Sequence, residues 1–481
     1  MHNGFIVEIK ELRPHTNADK LQLATFFGET VIVGLDTKIG DIGIYFPCDL
    51  QLSLEYCDAN DLCRKRADGT AGAGYLEREK RNITAIRLRG EKSYGLYAPL
   101  HSLAFTGVDL STFKVGDTID IVGGISICQK YIPRSNRRGQ SCNAGNRTRK
   151  KKVPVAPLFA EHADTEQLAY NLSAFKPGDE IEITLKMHGT SGRTARLPVL
   201  KGYRRTLLDK ILRREGTPIY EDGYVSGTRR VVLEDYSGGF YGDNSFREKH
   251  SKIFEGKLMK GETVYYEIVG FTDHGAPIMG DGNNEKVGKD FVKEYGKTTT
   301  FSYGCSRDGW GNAVYKTDKW GNGVVEHKEV PISDIYVYRM TMTNEEGFVV
   351  EYTPDFMRYR CEQMGVKTVP VFWKGIITPT TKTEECQEYA CWCGEWMGAC
   401  GGEAAIGDMV KEIAEKFYAG PDPIGKTHTR EGVVVRIINR PKFCAYKHKN
   451  FEFKCISGII AEKTAESAAA DNLSEDILSE M

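Results

Sequence analysis

The stretch Glu180-Ile181-Glu182-Ile183-Thr184-Leu185-Lys186-Met187 alternates between polar and apolar residues and then runs into His188-Gly189-Thr190-Ser191-Gly192. A period of two puts Ile181, Ile183, Leu185 and Met187 on one face of a strand and Lys186 on the other. A lysine on the polar face of a strand end, beside a glycine turn that a ligand can approach closely, has the setting of an amine nucleophile. The spacing alone carries little, because Lys-x-x-Gly recurs at Lys92/Gly95 and Lys293/Gly296 with no supporting context.

Four further segments change that weighting. Arg229 and Arg230 follow a Ser-Gly-Thr turn, Glu267 lies in Val264-Tyr265-Tyr266-Glu267-Ile268-Val269-Gly270, and Glu431 opens Glu431-Gly432-Val433-Val434-Val435-Arg436. Lys447 and Lys449 share one strand face, and Tyr336 and Tyr338 share another by the same period. Each alone reads as structural, since strand-borne Glu and Lys usually pair or meet water and Tyr usually packs. Their order along the chain is the specific signal.

That order resembles the covalent nucleotidyltransferase superfamily, whose motifs run Lys-x-x-Gly, an arginine motif, a Glu strand, an aromatic strand, Glu-Gly-Val-Val and Lys-x-Lys. Lys186-Met187-His188-Gly189-Thr190 looks like the RNA ligases, whereas DNA ligases and capping enzymes usually carry Asp where His188 stands. A candidate barrel precedes the core and only about 30 residues follow Lys449, a layout similar to the Deinococcus-type RNA ligases, with an N-terminal OB domain and a C-terminal adenylyltransferase domain. The resemblance implies ATP-dependent sealing of 3′-hydroxyl and 5′-phosphate RNA ends through lysyl-AMP and adenylated RNA, as in RNA repair. It implies Lys186 as nucleophile, Lys447 and Lys449 as its cationic helpers, and His188 and Gly189 within the ATP site. Arg229, with Arg230 as the adjacent alternative, would bind phosphate; Glu267 would accept from a ribose hydroxyl; Tyr336 or Tyr338 would stack on adenine. Glu431, expected as an exposed pocket carboxylate, would hold Mg²⁺ or Mn²⁺. The alternatives are a DNA ligase or another covalent nucleotidyltransferase, and a catalytically silent RNA-binding protein.

The elements that must position these residues read as α+β: an OB-like β-barrel followed by a nucleotidyltransferase domain of antiparallel sheets with flanking helices. GFIVEI, QLATFF, TVIVGL, GIYFP, AIRLRG and TIDIV are strand-like and fill residues 1–125, the OB-like nucleic-acid-binding domain. Residues 126–155 form a basic linker, 156–456 the adenylyltransferase domain, and 457–481 an acidic and Ala-rich tail. A helix is expected from Asp164, with Gln167 three residues on. Two packing helices are expected on Leu207, Leu208, Ile211 and Leu212, and on Ile406, Met409, Val410, Ile413 and Phe417, the latter stopped by Gly420 and Pro421. The first also carries Arg204, Arg205, Lys210, Arg213 and Arg214, a candidate nucleic-acid face. The echo of Asp308-Gly309-Trp310 in Asp318-Lys319-Trp320 reads as a hairpin insertion.

Composition bounds the rest. The chain has 481 residues with 65 Lys+Arg against 66 Asp+Glu, so its net charge of -1 says nothing about partners and charge must be read locally. With 27% charged residues and no apolar run near the ~18 residues a membrane helix needs, no membrane span is expected. MHNGFIVEIK lacks the charge and apolar run of a signal peptide, so a cytoplasmic protein is expected, with ATP and RNA as partners and no obligate protein partner. Thirteen cysteines then read as reduced thiols, and the spacing of Cys386, Cys391, Cys393 and Cys400 matches no familiar zinc pattern.

Overall fold

The structure, a computed structural model, describes residues 3–48, 50–131, 153–162, 165–211, 216–233, 236, 243–317, 323–377 and 403–457. It is a mixed α+β chain dominated by antiparallel sheets, with few helices. The described residues divide into two compact units. One is drawn from Met1–Gln140, Asn283–Val292 and Lys454–Met481, the other from Ser141–Gly282 and Lys293–Phe453.

In the first unit every expected strand forms, and the apolar residues of these runs supply its core. Gly4–Glu8, Ile42–Pro47, Gly95–Pro99 and Thr118–Ile119 make one antiparallel sheet, and Leu12–Pro14, Leu21–Phe26 and Glu29–Gly34 make another. Ile6, Leu21, Leu23, Ile44, Phe46, Leu52 and Tyr56 close a common core between them. Among the described residues the sheets do not join into a closed barrel. The strand Cys128–Lys130 pairs with Leu50–Leu52; residues 132–152, which hold most of the expected basic linker, lie outside the described residues.

The second unit has two sheets. The first runs in the order Glu166–Gln167, Cys444–Lys449, Gly432–Ile437, Glu180–Leu185, Val371–Ile376, antiparallel except for its first pair. The helix Glu403–Tyr418 covers one face with Ile406, Met409, Val410 and Ile413, as its apolar stripe requires, and the chain leaves it through Gly420 at φ +97°. The second sheet orders Thr217–Gly227, Thr190–Arg204, Glu262–Gly270, Ser333–Thr343 and Val349–Glu351. Its core holds Phe246, Phe254, Val264, Tyr266, Ile268 and Val337.

Two expectations fail. Asp164 lies outside the described residues, and the residues after it form no α-helix: Glu166–Gln167 is a strand pairing in parallel with Tyr446 and Lys447, and Leu168–Tyr170 is a single 3-10 turn. The free edge of the neighbouring strand claims backbone groups that a helix would have used internally. The helix at Leu207–Ile211 is one turn long, and its expected packing residues Leu207 and Ile211 are 78% and 75% exposed, at the outer end of the Thr190–Arg204 and Thr217–Gly227 strand pair. Leu212, Arg213 and Arg214 lie outside the described residues, as do Trp320, the stretch 378–402 with Cys386, Cys391, Cys393 and Cys400, and residues 458–481. The insertion does form a hairpin, Trp310–Thr317 against Gly323–Glu329. Among the described residues no helix is long and apolar enough to cross a membrane.

Candidate active site

Lys186 is the first residue past the Glu180–Leu185 strand, and its N–H donates to the Gly432 carbonyl at 3.0 Å, which fixes the lysine beside the start of the next strand. Gly432 has φ +146°, and a Cβ there would lie 2.0 Å from the His448 carbonyl oxygen. Only glycine fits that crossing, so Glu431 is delivered directly onto the lysine. Lys186 Nζ stands 2.7 Å and Lys449 Nζ 3.4 Å from Glu431 Oε1, while His188 Nδ1 faces Oε2 at 3.5 Å.

Glu431 is not the exposed carboxylate expected from sequence: its side chain is 3% exposed. Burial alone would raise its pKa, but Lys186, Lys449 and His188 together hold it well below the usual carboxylate range. His188 is itself held, its N–H donating to Tyr303 Oη at 2.7 Å and its ring set edge-on between Phe301 and Phe453.

Gly189 allows the second sheet to approach. A Cβ at that position would lie 2.4 Å from the Ile268 carbonyl oxygen and 2.8 Å from Glu267 Cγ. Thr190 and Ser191 then pair with Ile268 and Glu267, and Ser191 Oγ donates to Glu267 Oε2 at 3.2 Å. Burial pushes Glu267 up to about 7 against the opposing pull of Lys186, with Glu431 adding to the rise. An acid with a raised folded-state pKa binds its proton more tightly when folded, so its contribution is present below the ordinary carboxylate range and is lost as pH climbs towards 7. Glu267→Gln should therefore flatten the stability profile between about pH 4.5 and 7 and be more stable than the native protein at about pH 8 by roughly 1 to 3 kcal/mol. Chemical denaturation at both ends of that window checks this, and parallel profiles for the two proteins would count against it.

Arg229, Glu267, Tyr338 and Lys186 line one cavity. Arg230 is not among its lining residues, so the geometry separates two arginines that sequence left as alternatives. The buried Arg193 secures this turn: its Nε donates to the Thr228 carbonyl at 2.8 Å, its guanidinium also reaches the Ala160 carbonyl, and His162 N donates to the Arg229 carbonyl at 3.1 Å. The two tyrosines separate as well. Register between Glu262–Gly270 and Ser333–Thr343 slips at Tyr265/Tyr266, leaving Tyr338 as the extra residue of a bulge that turns it into the cavity. Tyr336, opposite Glu267 in register, lies instead against Lys367, whose Nζ is 5.8 Å from the ring centroid. Lys447 stands across from Val434, a cavity residue, two positions before Lys449.

Several lining residues had no sequence signal. His162 sits in an irregular segment, its Nδ1 2.9 Å from the Arg339 guanidinium and its ring 5.4 Å from that of Tyr338. Glu182, bonded to Arg358 at 2.8 Å, and Arg436, opposite it in register, form a polar wall. Alternation from Val434 places Arg436 on the cavity face, so this one was readable.

Among the described residues Glu431 Oε2 is buried with no closer polar contact than His188 Nδ1 at 3.5 Å, too long and ill-aimed for a good hydrogen bond. A hard divalent cation suits such an oxygen. No group of three or more His, Cys, Asp or Glu side chains is arranged for a metal among the described residues, so phosphate and water oxygens would complete its shell.

No protein-family model matches the chain, and no curated protein matches it in sequence. Solved structures do. An RNA ligase of Naegleria gruberi with PPi superposes with a TM-score of 0.52 at 17% identity, over 94% of this chain and 97% of that one. The fold is that of an RNA ligase. Two variants of the same Naegleria ligase with ATP and Mn, one lysine-to-alanine and one arginine-to-alanine, give TM-scores of 0.51 and 0.52 at 15% and 16% identity. They cover 93% and 94% of this chain and 95% and 98% of their own. The likeness therefore takes in both units of the RNA-ligase-like chain.

Proposed function

We propose that the chain is an ATP-dependent RNA ligase working through a lysyl-adenylate. The observation that carries this reading is Lys186 Nζ held 2.7 Å from the buried Glu431, in a cavity shared with Arg229, Glu267 and Tyr338. The neutral Lys186 amine attacks the α-phosphorus of ATP; a P–N bond forms and pyrophosphate leaves. The 5′-phosphate oxygen of RNA then takes the adenylyl group and frees the lysine. In the last step the 3′-hydroxyl attacks the activated 5′-phosphate and AMP departs.

Arg229 grips a phosphate, with its turn fixed by Arg193. Glu267 accepts from a ribose hydroxyl, and Tyr338 rather than Tyr336 supplies the ring for adenine. Lys447 and Lys449 lower the cost of the negative charge that builds on the phosphoryl oxygens. His188 steadies Glu431, which would hold Mg²⁺ or Mn²⁺; that ion would neutralise phosphate charge and compete with Lys186 for the carboxylate. The likeness to ligase structures that contain ATP and Mn supports this assignment. In the same reading the first unit is an OB-like module that engages broken or nicked RNA, residues 156–456 are the adenylyltransferase domain of a Deinococcus-type ligase, and the cellular task is RNA repair.

A nicked duplex tests the proposal. With ATP and Mn²⁺ the protein should seal a nick bearing an RNA 3′-hydroxyl strand and release AMP, and do so at least about tenfold more slowly when that strand is DNA, a discrimination of about 1.4 kcal/mol. Equal sealing of both would favour a general polynucleotide ligase, and no sealing of either contradicts the proposal.

A further inference from the structure

The strand that begins beside the lysine does not end with the sheet. Thr190–Ala195 of the long Thr190–Arg204 strand pair with Glu262–Gly270, but from Arg196 to Arg204 the only strand partner among the described residues is Thr217–Gly227. Nine residues at about 3.3 Å each make a two-stranded ribbon of roughly 30 Å beyond the sheet. Its root is packed: Leu200 N donates to the Val155 carbonyl at 2.8 Å, Tyr220 Oη donates to the Pro154 carbonyl at 3.0 Å, and Arg196 pairs with Asp222 at 2.7 Å.

The outer end is different. After a register slip between Leu200 and Gly202, Lys201, Tyr203, Arg204 and Arg205 are all exposed. No acidic residue occurs from Lys201 to Thr206, and no ion pair or hydrogen bond from the side chains of Lys201, Arg204 or Arg205 is formed with the described residues. The first acid after Thr206 along the chain, Asp209, is engaged by Thr206 N and Oγ1 at 2.9 and 2.7 Å. Three cations concentrated on a projecting ribbon repel one another and gain little from the protein around them. A polyanion would relieve that repulsion, and the exposed Tyr203 ring between them offers a stacking face.

We propose that the outer end of this ribbon is an RNA-binding arm, in which Lys201, Arg204 and Arg205 neutralise backbone phosphates and Tyr203 lies against an unpaired base or a ribose. The contact is independent of sequence, since its cations point to phosphates rather than base edges. The choice of RNA as the polyanion rests on the ligase reading; the existence of a phosphate-binding arm does not. Its strand is continuous with Ser191, which bonds the cavity residue Glu267, so RNA held by the arm is gripped by the strand that pairs alongside the cavity.

The test compares the full chain with its K201A/R204A/R205A variant, using a dye-labelled nicked RNA duplex and fluorescence anisotropy across a series of KCl concentrations, alongside label transfer from α-labelled ATP. Loss of three phosphate contacts should make the slope of log affinity against log salt shallower by about 2 to 3. Binding at low salt should weaken about tenfold or more, the difference should shrink as salt rises, and label transfer should stay unchanged. A variant with native affinity and slope overturns the arm, whatever the native protein does with ATP. A native protein that takes no label, while the variant still loses its salt slope, removes the ligase reading and leaves the arm standing.

Discussion

Lys186→Ala is expected to abolish transfer of label from α-labelled ATP to the protein, a loss on the order of a thousandfold or more, because Lys186 is the lysine that lines the cavity among the described residues. A lysine of ordinary pKa, about 10.4, is neutral in only about one of a few thousand molecules at pH 7. In the structure Lys186 Nζ lies 2.7 Å from the buried Glu431. In the proposed reaction the Glu431 carboxylate would be drawn away to a bound metal and leave the amine free to attack. Lys186→Arg should be equally inactive, since a guanidinium does not give up its proton. The alanine variant should stay folded, because Lys449 remains 3.4 Å from Glu431 and keeps that buried charge compensated. Sealing of a nick supplied already adenylated should survive, since that substrate bypasses the lysine. Label retained in the alanine variant would remove Lys186 from the mechanism.

The second large effect belongs to Glu431→Gln, expected to lower adenylation about a hundredfold or more at every Mg²⁺ or Mn²⁺ concentration. Unlike a surface carboxylate, Glu431 also carries stability. Its folded-state pKa is depressed, so its contribution is present above the ordinary carboxylate range and is lost as pH falls. The variant should thus be less stable than the native protein near neutral pH, with the gap narrowing as pH falls below the ordinary carboxylate range, where the unfolded chain takes up the proton while folded Glu431 stays ionised. Unfolding curves near pH 7 and in mild acid measure this, and restoration of full rate by excess metal would contradict the metal-holding role.

Sequence revealed the parts of the site that sit on regular strands. Period-two alternation placed Lys186 opposite Ile181, Ile183 and Leu185, and the structure buries those three side chains at 2% exposure or less. The same logic stops at irregularities. It could not separate Tyr336 from Tyr338, because the bulge that turns Tyr338 inward arises from pairing with a strand about 70 residues earlier. His162 was invisible because it lies outside any periodic segment and is placed by Arg339 and the Arg229 turn. Glu431 was misjudged as exposed, since its burial depends on the Gly432 crossing and on two lysines from other parts of the chain. The helix at Leu207 shows the converse error: an apolar stripe states what could be buried, and only tertiary context supplies something to bury it.

The most direct test of the account is peptide mapping by mass spectrometry after incubation with ATP and Mn²⁺. The account predicts a single acid-labile AMP adduct, joined through a P–N bond, on the peptide that carries Lys186. An adduct on another lysine, or a protein that consumes ATP with RNA present yet never carries AMP, would contradict it.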